Sequence, residues 1–239
     1  MSEGIKIITT YKSPDFNRVI RPIPKKAVLH HSAGRLAGDI ATLTAKDDNY
    51  VSCHYEIAKN GDAYMLVHPM HAAYHTGRAI AGWGNNDTIG FEFENLGNGK
   101  DPFTDAQIKT IAYLLSLYKI PKEGIKDHKA IAIPVGRKSD LASNFPWEKF
   151  WSVCYGGGTK VTITEPTFKI TIFVRGQIKD FKPAIEKKIA LINKGTGFSL
   201  YPSDDGKTLS VVSTLSSLLV IEEAARHYKA SYHVERNTP

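Results

Sequence analysis

The chain has 239 residues, 42% of them hydrophobic and 23% charged, with a net charge of +7 and a pI near 9.2. That profile fits a soluble globular protein of one large or two modest domains, and it excludes a disordered or fibrous chain. No apolar run reaches the roughly 18–20 residues that span a bilayer, and two cysteines, Cys53 and Cys154, exclude a disulfide framework and read as free thiols. The positive balance favours an anionic partner without identifying it. Lys and Arg are not gathered into a stripe with aromatics, so nucleic acid is not expected. Residues 1–10 lack a signal-peptide pattern, so the chain is expected to begin in the cytoplasm and to need another exit for any task outside.

Residues 1–24 carry Pro14, Pro22 and Pro24 and read as a segment wrapping the surface before the first core strand, 27–30. A short helix is predicted over 39–46, then a strand over 51–58. Lys59-Asn60-Gly61-Asp62 is a hairpin signal, and 63–67 returns as the partner strand. The Gly-rich stretch 74–88 is a long loop of the kind that carries function. Ile89-Gly90-Phe91-Glu92-Phe93-Glu94-Asn95 alternates strictly, with Phe91 and Phe93 on one face and Glu92 and Glu94 on the other. Unpaired carboxylates are costly to bury, so that second face lines solvent or a polar cleft.

Thr104 and Gln107 form a capping box that opens the clearest helix. Its apolar stripe is Ile108, Ile111, Ala112, Leu115 and Tyr118, and Pro121 is expected to end it. Residues 125–145 read as a polar loop and 145–151 as a closing helix. Strands mixed with helices predict an α/β domain, a mixed central sheet flanked by helices.

Gly156-Gly157-Gly158 is the best linker signal, which divides the chain into 1–155, a linker over 156–166, and a second domain over 167–239. The second domain reads β-α-β-β-α-β, with helices capped by Asp180 and Ser217. That order predicts a small α+β domain, a ferredoxin-like split-βαβ sandwich. Residues 159–239 carry 12 Lys/Arg against 8 Asp/Glu and no catalytic signature.

Several polar residues of the first domain stand where a core would be apolar. His30 and His31 end the first strand, and only one of them can face the cleft. His128 and Asp140 follow the long helix. Two histidines and one carboxylate make an open catalytic zinc site, but these are not in a local ligand motif.

Taken in order, Val28-Leu29-His30-His31-Ser32-Ala33, Val51-Ser52-Cys53-His54-Tyr55 with Gly61, Tyr74-His75-Thr76-Gly77, Ile89-Gly90-Phe91-Glu92, His128 and Lys138-Ser139-Asp140 resemble the zinc-dependent N-acetylmuramoyl-L-alanine amidases. That family takes in phage endolysins, anhydromuramyl-peptide amidases and peptidoglycan recognition proteins, and the resemblance spans about residues 20–151. It implies an amidase-2, peptidoglycan-recognition-like fold. It implies Zn2+ on His30, His128 and Asp140, with Glu92 rather than Glu94 as the catalytic carboxylate. Asp140 stands where some members have Cys, as in the anhydromuramyl-peptide branch. Cys53 replaces a catalytic Tyr of other members, which favours the subtype that relies on Glu92. Lys138 matches a lysine near the zinc that steadies the oxyanion, and His75 a substrate-side histidine. Trp83, in the Gly-rich loop, is expected to offer a mobile aromatic wall to substrate.

What the resemblance implies is hydrolysis of the bond between N-acetylmuramic acid and L-alanine in bacterial peptidoglycan. The second domain is then expected to bind the cell wall, through anionic wall polymers. A basic domain joined to such an enzyme suggests a bacteriolytic phage endolysin, made in the host cytoplasm and acting on the wall after release. The alternatives are a cytoplasmic anhydromuramyl-peptide recycling amidase and a non-catalytic recognition module.

Overall fold

A computed structural model describes residues 5–47 and 50–156, and beyond them the backbone of four strands. The chain divides into two compact units, Met1–Val161 and Thr162–Pro239. The first is built on a six-stranded sheet. Its strands are β1 (Ile7–Ile8), β3 (Ala27–His31), β4 (Tyr55–Ile57), β5 (Ala63–Met65), β7 (Ile89–Phe93) and β8 (Ile125–Asp127), in the order β1-β5-β4-β7-β3-β8. Strands β4, β7, β3 and β8 run parallel, while β5 returns antiparallel to β4 and carries β1 on its edge. A two-stranded ribbon joins β2 (Phe16–Asn17) to β6 (Ala72–Ala73). This is the mixed α/β plan expected.

Register decides what each face carries. Leu29, Phe91 and Tyr55 stand in one row across three strands, and His31, Phe93 and Ile57 in another. These rows back onto α2 (Asp105–Leu117) and α4 (Trp147–Tyr155). Phe93, Phe103, Phe145 and Phe150 make the aromatic core there, ring to ring at 4.9–5.8 Å. The opposite face presents His30, Glu92 and Glu56 in a single row. It meets α1 (Leu36–Thr44), whose Ile40 and Leu43 pack on Cys53 and Leu66.

Helix α2 begins with its capping box intact. The Thr104 hydroxyl accepts from Gln107 N at 3.1 Å, and Gln107 Oε1 accepts from Thr104 N at 3.0 Å. It ends at Leu117, before Pro121 is reached. Lys119 turns left-handed (φ 51), so that its own N–H bonds Ser116 O and that of Ile120 bonds Leu115 O. The expected loop over 125–145 instead holds β8 and the short α3 (His128–Ile131), which Asp127 caps through Ala130 N at 2.9 Å.

In the second unit, β9 (Thr167–Phe173), β10 (Phe198–Pro202), β11 (Thr208–Thr214) and β12 (Ser231–Arg236) form an antiparallel sheet in the order β10-β11-β9-β12. A split-βαβ sandwich requires that order. The helices expected between these strands, and most of the Gly-rich linker, lie outside the described residues.

Candidate active site

Two strand ends and one loop bring two histidines and an aspartate together. β3 delivers His30, the junction of β8 with α3 delivers His128, and the loop before α4 delivers Asp140. His30 Nδ1 lies 3.0 Å from His128 Nδ1, and Asp140 Oδ2 lies 2.9 Å from each of them. These are the atoms, among the described residues, that could hold a metal ion. His31, one residue on, points to the other side of β3, where its Nδ1 accepts from Ala142 N at 3.0 Å. That contact ties down the loop carrying Asp140.

The far side of each imidazole fixes its protons. His128 Nε2 donates to Thr76 O at 3.0 Å, which leaves His128 Nδ1 as a bare lone pair. For His30 the chain is longer. The Thr88 hydroxyl donates to Gly84 O at 2.9 Å, so its oxygen accepts from His75 Nε2 at 3.3 Å. His75 Nδ1 then accepts from His30 Nε2 at 3.0 Å, and His30 Nδ1 also faces the cluster bare. Two lone pairs and a carboxylate oxygen at these separations repel one another unless a cation sits among them. Burial holds His30 down at about 4, so a proton on it is a poor substitute. Burial opposes ionisation of Asp140, but the two imidazoles outweigh it and hold the carboxyl well below its usual range. The donor set, its charge and its anchored outer nitrogens fit zinc.

Glu92 stands beside this cluster, with Oε1 3.9 Å from His30 Nδ1. Its Oε2 is buried without a hydrogen-bond partner. Burial, followed by the Asp140 charge, pushes its carboxyl well above the ordinary range. Glu94, on the same strand face by alternation, is used elsewhere: its Oε2 accepts from Lys59 N at 2.9 Å. Glu92, His30, His128, Asp140 and the exposed Lys138 line one cavity of about 370 Å³. A larger hollow of about 460 Å³ beside Pro22, Pro24 and Pro121 is lined by no histidine among the described residues.

Two expectations change. Trp83 is no mobile wall. It is 8% exposed, packs with Val28 and Ile131, and lies under the ammonium groups of Lys26 and Lys126. Its loop is pinned, because Asn85 Oδ1 accepts from His75 N, Thr76 N and the Thr76 hydroxyl. His75, expected on the substrate side, does line the cavity, but it is only 7% exposed and is engaged as the hydrogen-bond partner of His30. A β-carbon at Gly90 would come within 2.6 Å of the His75 ring, so the glycine of this strand makes room for that histidine. The residue that sequence reasoning missed is Glu56. A charged residue between Tyr55 and Ile57 in an otherwise apolar strand was its only signal.

The sequence profile of a family described as N-acetylmuramoyl-L-alanine amidase matches residues 21–143. Among solved structures, a selenomethionine derivative of AmpD superposes with a TM-score of 0.50 at 24% identity, covering 64% of this chain and 95% of that one. The catalytic domain of PlyG, solved in solution, superposes with a TM-score of 0.51 at 20% identity, covering 66% and 98%. At such identities the likeness is one of fold. Among curated protein sequences no match reaches significance.

Proposed function

The chain belongs to the N-acetylmuramoyl-L-alanine amidase family, and from that premise we propose that it is a zinc-dependent hydrolase of peptidoglycan, cutting between N-acetylmuramic acid and L-alanine. The observation that carries the reading is the converged trio of His30 Nδ1, His128 Nδ1 and Asp140 Oδ2, with both outer imidazole nitrogens already engaged. These three residues would hold the ion. When bound, zinc supplies Lewis acidity and lowers the pKa of a water toward ~7.

The chain's own groups do the rest. Glu92 Oε1 takes a proton from the water that attacks the amide carbon, and gives it to the nitrogen that leaves as the amine of L-alanine. One C–O bond forms and one C–N bond breaks. Lys138, on the cavity wall, sets a fixed positive charge toward the oxygen that becomes negative. His75 and Thr76 O hold the two imidazoles still while this happens.

Within this activity we favour a phage endolysin that acts on the host wall after release. The support is the separate second unit, which suits a wall-binding module that raises local enzyme concentration. A second reading, a recycling amidase for soluble anhydromuramyl peptides, is favoured by one observation: the third ligand position holds Asp140. Substrate choice separates them. The endolysin reading predicts faster release of L-alanine amino groups from intact sacculi than from soluble anhydromuramyl peptides. The reverse preference would move the assignment to recycling.

A further inference from the structure

Glu56 is fully buried in β4, and neither of its carboxyl oxygens has a hydrogen-bond partner among the described residues. Strand register sets it directly beside Glu92 on the parallel neighbour β7, in the row that continues to His30. Alternation sends both side chains to the same face of the sheet. Glu92 Oε2 is likewise buried and lacks a partner. Adjacent carboxyls thus each hold an unsatisfied oxygen under α1.

Among the described residues, the charges that act on Glu56 are all negative. Charges reach it from Asp39 on α1, from Glu92 on β7 and from Glu94 just past the end of that strand. Tyr64 stands opposite it on β5, and the neutral thiol of Cys53 lies close by. The ammonium of Lys138 acts on Glu92. An uncompensated buried carboxylate is costly, and two adjacent ones do not both ionise in such a place. Burial, then the charges of Glu92, Asp39 and Glu94, push the Glu56 carboxyl well above its usual range.

We propose that Glu56 is kept as a neutral carboxylic acid whose proton is directed at Glu92, and that it is a positioning residue for the amidase reaction. The Glu56 O–H supplies the donor that Glu92 Oε2 lacks. That holds the Glu92 carboxylate in one orientation and leaves Oε1, the oxygen near His30, for the attacking water. This inference rests on the amidase reading above.

The test uses the full-length chain loaded with zinc. In the wild type at neutral pH, the infrared spectrum shows the carbonyl stretch of a buried carboxylic acid, and Glu56→Gln removes it. In Glu92→Leu the same band moves to higher frequency, because the acid has lost its acceptor. With peptidoglycan as substrate, Glu56→Leu lowers kcat roughly 10- to 100-fold at unchanged KM. Glu56→Gln, whose amide still donates, keeps kcat close to the parent's. No acid band, a band unmoved in Glu92→Leu, or a Glu56→Leu enzyme of full kcat would each overturn the proposal. So would a second bound metal equivalent that Glu56→Gln abolishes, which would make the pair a cation site. If the wild type released no amino groups at all, the amidase reading would fail, while the infrared bands would still decide the state of Glu56.

Discussion

His30 and His31 are neighbours in the chain and are separated by the thickness of the sheet. Only His30 shares a row with Glu92 and joins His128 and Asp140, while the His31 imidazole holds the loop that bears Asp140. Glu92 and Glu94 divide in a similar way. Alternation puts both on one face, but Glu94 is engaged by Lys59 N and Glu92 is aimed at His30. Replacing Glu92 by Gln should therefore lower kcat about 10²- to 10⁴-fold. Replacing Glu94 by Gln should leave kcat nearly unchanged, and steady-state hydrolysis of peptidoglycan compares them. His54 gives a prediction about pH. Buried, with Arg21 beside it, it is pushed from 6.5 down to about 3, and its Nδ1 accepts from Gly90 N. A base depressed by folding contributes stability that is complete above the unfolded value. That contribution is lost as pH falls from 6.5 toward 3, at up to about 1.4 kcal/mol per pH unit. Urea midpoints should therefore fall more steeply with acid in the wild type than in His54→Gln, and parallel curves would contradict this.

At the scale of elements, Gln107 links the helix to the sheet. Beyond its capping role, its Nε2 donates to Ile57 O and Glu94 O, both at 3.0 Å. Gln107→Leu should cost about 3 kcal/mol, because buried carbonyls lose their donor. Thr104→Ala should cost about 1 kcal/mol. Equal costs in urea denaturation would show that the sheet contacts contribute nothing. Elements of this kind set what could be read from the sequence. The capping box, the Phe/Glu strand and the hairpin at Gly61 carry local signals and fall where expected. Strand β8 and helix α3, at three and four residues, are too short to show a period, so the setting of His128 was illegible. The Gly-rich loop misled for a physical reason. Its glycines suggest motion, but Asn85 accepts three hydrogen bonds within it, a fixation that composition does not display. Glu56 became visible only through register, since its neighbour Glu92 is 36 residues away in the chain.

At the scale of the molecule, the sheet carries two different faces. The aromatic one, closed by α2 and α4, supplies the rigidity on which a site with tight tolerances depends. The polar one bears the cluster and its cavity. The second unit supplies none of the proposed ligands and, on our reading, brings the enzyme to its polymer. Truncation after residue 156 should sharply reduce co-sedimentation with purified cell walls. It should leave zinc content unchanged, because every proposed ligand lies in the first unit. Undiminished sedimentation would remove the wall-binding role from the second unit.

On the proposed reading, His30, His128 and Asp140 hold the zinc that peptidoglycan amide hydrolysis requires. The most direct measurement is digestion of purified peptidoglycan by the intact chain before chelation, after chelation, and after zinc is restored. New L-alanine amino groups and new reducing sugar ends are scored in parallel. Amino groups should appear without reducing ends, vanish on chelation, and return with zinc in the wild type but not in Asp140→Ala. Release that survives metal removal, or cutting that yields reducing ends, would contradict that reading.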